Sequence, residues 1–95
     1  MLFLILLQYN KPVAAVEQHL DEHRQFLEKY YQSKHFICSG PRHPRTGGVI
    51  LCHAKSRKEV EDIIREDPFD QYQLADYEII AFEPTRYAEG FAQFL

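Results

Sequence analysis

Residues 2–9, LFLILLQY, form an almost unbroken apolar run that ends at Asn10-Lys11-Pro12. A continuous run of this length predicts a strand covered on both faces, because a strand with one wet face alternates instead. Pro12 pre-sets the φ angle for a helix start, with Asn10 or Lys11 at the capping position. From Val13 to about Ser33 the apolar side chains Val16, Leu20, Leu27 and Tyr30, with Phe26 beside them, recur at steps of three, four and seven. That spacing is one stripe of an amphipathic helix. Phe36–Ser39 predicts a second strand, stopped by Gly40-Pro41. Residues 40–48, GPRHPRTGG, hold three glycines and two prolines and predict a loop or wide hairpin connection. A third strand follows over Val49–Ala54. Ser56 and Glu59 have the spacing of a capping box, opening a helix to about Glu66 with Val60, Ile63 and Ile64 inward. Asp67-Pro68 closes that helix, since proline disfavours helical geometry in the residue before it. A fourth strand, about Asp76 to Phe82, carries Tyr77, Ile79 and Ala81 on one face and Ile80 and Phe82 on the other.

The order β-α-β-β-α-β predicts an α+β fold, a ferredoxin-like sandwich with two helices on one face of a four-stranded antiparallel sheet. Two helices cover one face only, yet the first strand is apolar on both. A second copy of the same sheet is the simplest cover, which predicts a homodimer packed sheet to sheet. One domain spans residues 1–84. The tail, 85–95, ends in Phe91, Phe94 and Leu95, apolar enough to clasp a partner protomer.

Composition narrows the partners. With 95 residues, 45% hydrophobic and 26% charged, the chain fits a single globular domain and neither a disordered segment nor a disulfide scaffold. Eleven basic against fourteen acidic residues give a net charge of −3, without the positive field that nucleic-acid binding draws on. The opening apolar run is far shorter than the roughly 20 residues of a membrane-spanning helix. It also lacks the basic leader and small-residue cleavage site of a signal peptide, so no membrane association is expected. Two cysteines, Cys38 and Cys52, at no short spacing are expected to be reduced thiols of a cytoplasmic protein that pack as small hydrophobes.

Among residues able to carry chemistry, His23 comes first. It lies three residues after Leu20 and four before Leu27, so it points with them toward the sheet. An imidazole on an apolar face can be tuned for proton transfer; the plain alternative is a core histidine bonded to a backbone carbonyl. Asp67, at the C-terminal end of the second predicted helix, meets an unfavourable helix dipole and is either exposed or held by a cation such as protonated His23. The plain alternative is that Asp-Pro simply starts a turn. The string His19-Leu-Asp-Glu-His23 matches the H-x-x-E-H of inverted zincins, but such a site needs a third ligand and a cleft, and no metal is expected. His35, His43 and His53 are scattered. Arg42, His43 and Arg45 make the 40–48 connection basic, as an attractor for an anionic substrate or as solvated surface charge. The chain has no phosphate-binding glycine loop, dinucleotide fingerprint or serine elbow. Its third strand lacks the stacking aromatics of RNA-recognition modules.

Together the opening strand MLFLILLQY, the helix bearing His23, the segment Cys38-Ser39-Gly40-Pro41, the glycine-led third strand and Asp67-Pro68-Phe69 resemble the YciI-like family (YCII-related domain proteins) from Met1 to about Pro84. The resemblance implies a dimeric α+β barrel and a site centred on a histidine and an aspartate, which map onto His23 and Asp67. Related members of that superfamily are similar to muconolactone isomerases and dehydrochlorinases, which act on small ring compounds. The expectation is a His–Asp dyad in a pocket between helices and sheet. His23 would serve as general acid–base, with Asp67 orienting it. Ser39 and the backbone amide of Gly40 would line the pocket and steady developing negative charge. Proton abstraction or elimination on a small cyclic compound, neutral or anionic, suits this equipment and calls for no cofactor. A non-catalytic metabolite-binding or partner module, and a purely structural dimer with a core histidine, remain the alternatives.

Overall fold

The elements run β1 (Leu2–Tyr9), α1 (Val13–Glu17), α2 (Leu20–Gln32), β2 (Phe36–Pro41), β3 (Gly47–His53), α3 (Arg57–Ile64), α4 (Pro68–Gln71) and β4 (Ala75–Phe82) in a computed structural model that describes residues 1–95. The sheet order is β2-β3-β1-β4 with every pairing antiparallel, the ferredoxin-like topology expected. The most apolar strand lies at the centre. Leu4 of β1 faces Leu51 of β3 on one side and Ile80 of β4 on the other. Alternation along β1 sends Phe3, Ile5 and Leu7 into a core of 16 buried side chains to which all four helices contribute. Burying each such side chain stabilises the fold by about 1.5–3 kcal/mol. Leu4 and Leu6 are only half-buried, so one chain covers one face of its sheet.

Local structure departs from expectation in several places. The long first helix is broken at His19, whose backbone (φ −115°, ψ 14°) is not helical. No glycine or proline marks the break; it turns Val16 fully into the core and sets the His19 ring on Tyr72 at 4.0 Å. Neither Asn10 nor Lys11 caps α1, whose N-cap is Pro12, without a side-chain cap bond; Asn10 instead donates from Nδ2 to Asp76 Oδ1 at 3.2 Å. The loop between β2 and β3 is only 42–46, because Gly40, Pro41, Gly47 and Gly48 belong to the strands. Proline is tolerated there because β2 is an edge strand. Gly47 is required by crowding: a Cβ at this position would lie 1.8 Å from the Leu7 carbonyl oxygen.

The second predicted helix stops at Ile64, and a further turn, α4, follows Asp67. Ser56 caps α3 by accepting from the Glu59 amide at 3.2 Å. The reciprocal half of the box is displaced by one residue, Glu59 Oε1 accepting from the Lys55 amide at 3.2 Å. The tail ends in a 3-10 turn, Phe91–Phe94, in which Phe91 and Phe94 contact each other at 5.5 Å while Phe94 and Leu95 stay exposed. No helix is long and apolar enough to cross a membrane.

Cys52 lies in the core and Cys38 on the exposed edge. Burial first, and the Glu59 carboxylate second, push the Cys52 thiol up to about 12, so the reactive thiolate is absent near neutral pH. Native protein treated with a thiol reagent at pH 8 is expected to leave Cys52 unmodified, with the second thiol appearing only in denaturant. Mass mapping that finds Cys52 modified in the native state would contradict this.

Candidate active site

The sequence itself aims His23 inward, from the first turn of α2 and between Leu20 and Leu27. The residue is 9% exposed. Its ring lies flat on Phe69, with centroids 3.9 Å apart and planes 2° from parallel, and Phe26 flanks it at 6.0 Å. Nδ1 is 2.8 Å from Asp67 Oδ1. An ionised carboxylate only accepts, so Nδ1–H donates and the neutral ring keeps its lone pair on Nε2. No protein group bonds Nε2.

Asp67 is fully buried, 44 residues along the chain from its partner. Its placement differs from the expectation of a helix C-terminus. It is the N-cap of α4, with Pro68 at the first helical position, and its Oδ1 accepts from the Phe69 amide at 3.0 Å. The dipole it meets is therefore favourable. Its other oxygen, Oδ2, accepts from the Tyr77 hydroxyl at 2.7 Å. Burial, then the charge of Asp67, raise the Tyr77 phenol well above its ordinary range, so Tyr77 remains a donor at physiological pH. Three donors thus fix one carboxylate, which in turn fixes one imidazole.

Tyr77 and Phe69 are the two site residues that pattern reading missed. The sequence puts Tyr77 on one face of β4 with Ile79 and Ala81 without saying which face is covered; a buried tyrosine hydroxyl needs a partner, and that need is the available signal. Phe69 stood in the Asp-Pro-Phe landmark with nothing to show that its ring would lie on an imidazole.

His23 forms one wall of a cavity of about 600 Å³ between α2, the ends of β2 and β3, and α4. Ser39 and Gly40 line the same cavity. Both are exposed, and the Ser39 hydroxyl is engaged with Tyr31 Oη at 2.5 Å. A Cβ at Gly40 would meet nothing within 4 Å, so space remains beside its backbone. His19 does not join His23. Its Nδ1 lies 3.5 Å from Glu22 Oε1, an ion-pair distance without a hydrogen bond, and its ring stacks on Tyr72. No cluster of three or more histidine, cysteine, aspartate or glutamate side chains is arranged to hold a metal ion.

The arrangement is suited to moving a proton at Nε2, with an apolar wall and a fixed counter-charge behind the ring. The sequence model of the YCII-related domain matches residues 1–83. Among solved structures, the chain is similar to 5-chloro-2-hydroxyhydroquinone dehydrochlorinase (TftG) from Burkholderia phenoliruptrix AC1100, in complex with 2,5-dihydroxybenzoquinone. The TM-score is 0.76 at 22% identity, over 87% of this chain and 94% of that one. No curated protein matches the sequence.

Proposed function

Since the chain belongs to the YCII-related domain family, we propose that it is a small enzyme, independent of cofactors, that uses His23 and Asp67 for general acid–base chemistry on a small cyclic compound. The observation that carries this reading is the buried His23–Asp67 pair, 2.8 Å apart, at the wall of a cavity with Nε2 unbonded. His23 takes a proton from a ring carbon or hydroxyl and returns it to the product or the leaving group. Asp67 holds the tautomer and stabilises the imidazolium while the proton is on the ring. Ser39 and the Gly40 amide meet the developing negative charge. Isomerisation and elimination of a halide are the two reactions this equipment fits. A dehydrochlorinase of the same fold, holding a quinone, supports the second.

The direct test is an NMR titration of the five histidines in the wild type and in Asp67→Asn. The His23 ring resonances are expected to change in the mutant, because the carboxylate that accepts from Nδ1–H is replaced by an amide, while those of the other four stay in place. If no histidine responds, the dyad does not operate and a binding module becomes the better reading. His23→Ala is expected to lose at least about a hundredfold in turnover on any substrate found, the lower end of the scale of a lost acid–base group. Activity retained within tenfold would sink the mechanism.

The same reading includes a homodimer. Leu4, Leu6, Val49 and Leu51 are half-buried and Ile80 is 41% exposed; register places them together on the uncovered face of the sheet. A second sheet on this face, with the tail over its edge, removes that apolar area from water. Sedimentation at micromolar concentration is expected to give a dimer, and Leu4→Lys a monomer; a monomeric wild type would count against it.

A further inference from the structure

The acid–base reading gives no role to the charge around the cavity. Beside His23, three charged side chains line it: Glu17 of α1, Arg24 of α2 and Arg45 of the β2–β3 loop. Two guanidiniums and one carboxylate leave the cavity's lining one positive charge in excess, with the buried Asp67 carboxylate set behind His23 rather than on the lining, in a chain whose net charge is −3.

The two arginines differ in what holds them. Arg45 Nη1 donates to Glu17 Oε1 at 2.8 Å. Hydrogen bonds to Glu17 first, and to Tyr9 second, raise its already high ionisation range. This pair ties α1 to the loop and is internally neutral. Arg24 has only Asp21 Oδ1, at 3.4 Å, and the two side chains are 66% and 92% exposed. A contact of that kind contributes little and gives way to a better acceptor. One guanidinium at the cavity is therefore free to turn, and its planar fork of donors matches a carboxylate or an ionised hydroxyl. It follows His23 on the same helix, about 100° around the axis. Leu20, Leu27 and Phe69 supply apolar wall against which a ring can lie.

Resting on the acid–base reading of the same site, we infer that the substrate class is a small planar ring bearing an anionic substituent, and that Arg24 is the residue that selects it. Arg24 holds the substituent, and the ring lies across the apolar wall with a carbon or hydroxyl toward His23 Nε2. The Glu17–Arg45 pair is a fixed rim, and its carboxylate disfavours a cationic ring.

The test compares two probes of matched shape, 3-hydroxybenzoate and 3-hydroxybenzyl alcohol, titrated into the full chain at low salt and followed by amide chemical shifts. The benzoate is expected to bind at least about tenfold more tightly, the scale of one charge-assisted hydrogen bond. Arg24→Gln is expected to remove most of that preference while affinity for the alcohol stays within about twofold, and Arg24→Lys to keep part of it. Equal affinities, no binding of the benzoate, or a preference that survives Arg24→Gln would overturn the assignment. The histidine titration of Asp67→Asn separates the two readings. A His23 response without anion preference overturns the substrate class and leaves the acid–base site standing. Anion preference without that response keeps the ligand class and removes the catalyst.

Discussion

Asp67→Ala is expected to cost the fold about 3–5 kcal/mol, the scale of stranding three donors at about 1–3 kcal/mol each at most and losing a helix cap. The side chain is fully buried and accepts from three donors at once: His23 Nδ1–H, the Phe69 amide and the Tyr77 hydroxyl. Deleting it strands all three away from water and takes the N-cap from α4. Against a typical stability of about 5–15 kcal/mol, this brings the variant close to unfolding at 37 °C. Two milder changes calibrate the loss. Tyr77→Phe removes one donor and leaves the carboxylate with two, so about 1 kcal/mol is expected. Asp67→Asn keeps the shape and one acceptor oxygen, which is why it suits the titration experiment. Urea unfolding followed by circular dichroism ranks the three. An Asp67→Ala variant within about 1 kcal/mol of wild type would mean that these hydrogen bonds carry little net stability.

Gly47→Ala is expected to be nearly as damaging, at about 3 kcal/mol, the upper range for a group forced into filled space. The new Cβ would lie 1.8 Å from the Leu7 carbonyl oxygen and 2.7 Å from its carbon. Both are backbone atoms of the central strand, and neither can rotate aside. The β1–β3 pairing would have to open at Gln8, opposite Gly47, and the hairpin that bounds the cavity would move with it. Gly40→Ala is the control. With nothing within 4 Å of the added methyl, it is expected to stay within about 0.5 kcal/mol of wild type. Thermal melts showing the two variants equally stable would contradict the crowding at Gly47.

Much of this architecture is legible in the sequence because hydrophobic period reports which surface is covered. The unbroken run at 2–7 identifies the central strand, and the flanks of His23 at minus three and plus four give its direction. The pairing with Asp67 is a different kind of fact. It joins positions 44 residues apart, and no period connects them; only the family resemblance put the two together. The break between α1 and α2 carries no glycine or proline, so the stripe continues across it in sequence while the backbone does not. Asp67-Pro68 is ambiguous for a physical reason. A proline that disfavours helix in the residue before it is also well placed at the first position of the next helix, and here the pair ends α3's run-off and opens α4. The glycines and prolines at 40–48 read as breakers, yet an edge strand tolerates Pro41, and the crowded start of β3 demands Gly47.

The place of β1 has a cost in time. Its neighbours on either side are β3, ending at residue 53, and β4, ending at residue 82. β1 is thus made before both of its neighbours and is enclosed only when β4 follows, some 73 residues after its own end, 82 minus 9. At about 5–20 residues per second, the most apolar segment of the chain waits roughly 4–15 s for its second partner. Until β3 arrives Leu-Phe-Leu-Ile-Leu-Leu has no strand partner, and until β4 arrives it keeps one open, uncharged edge, the kind of segment that aggregates or is held by chaperones.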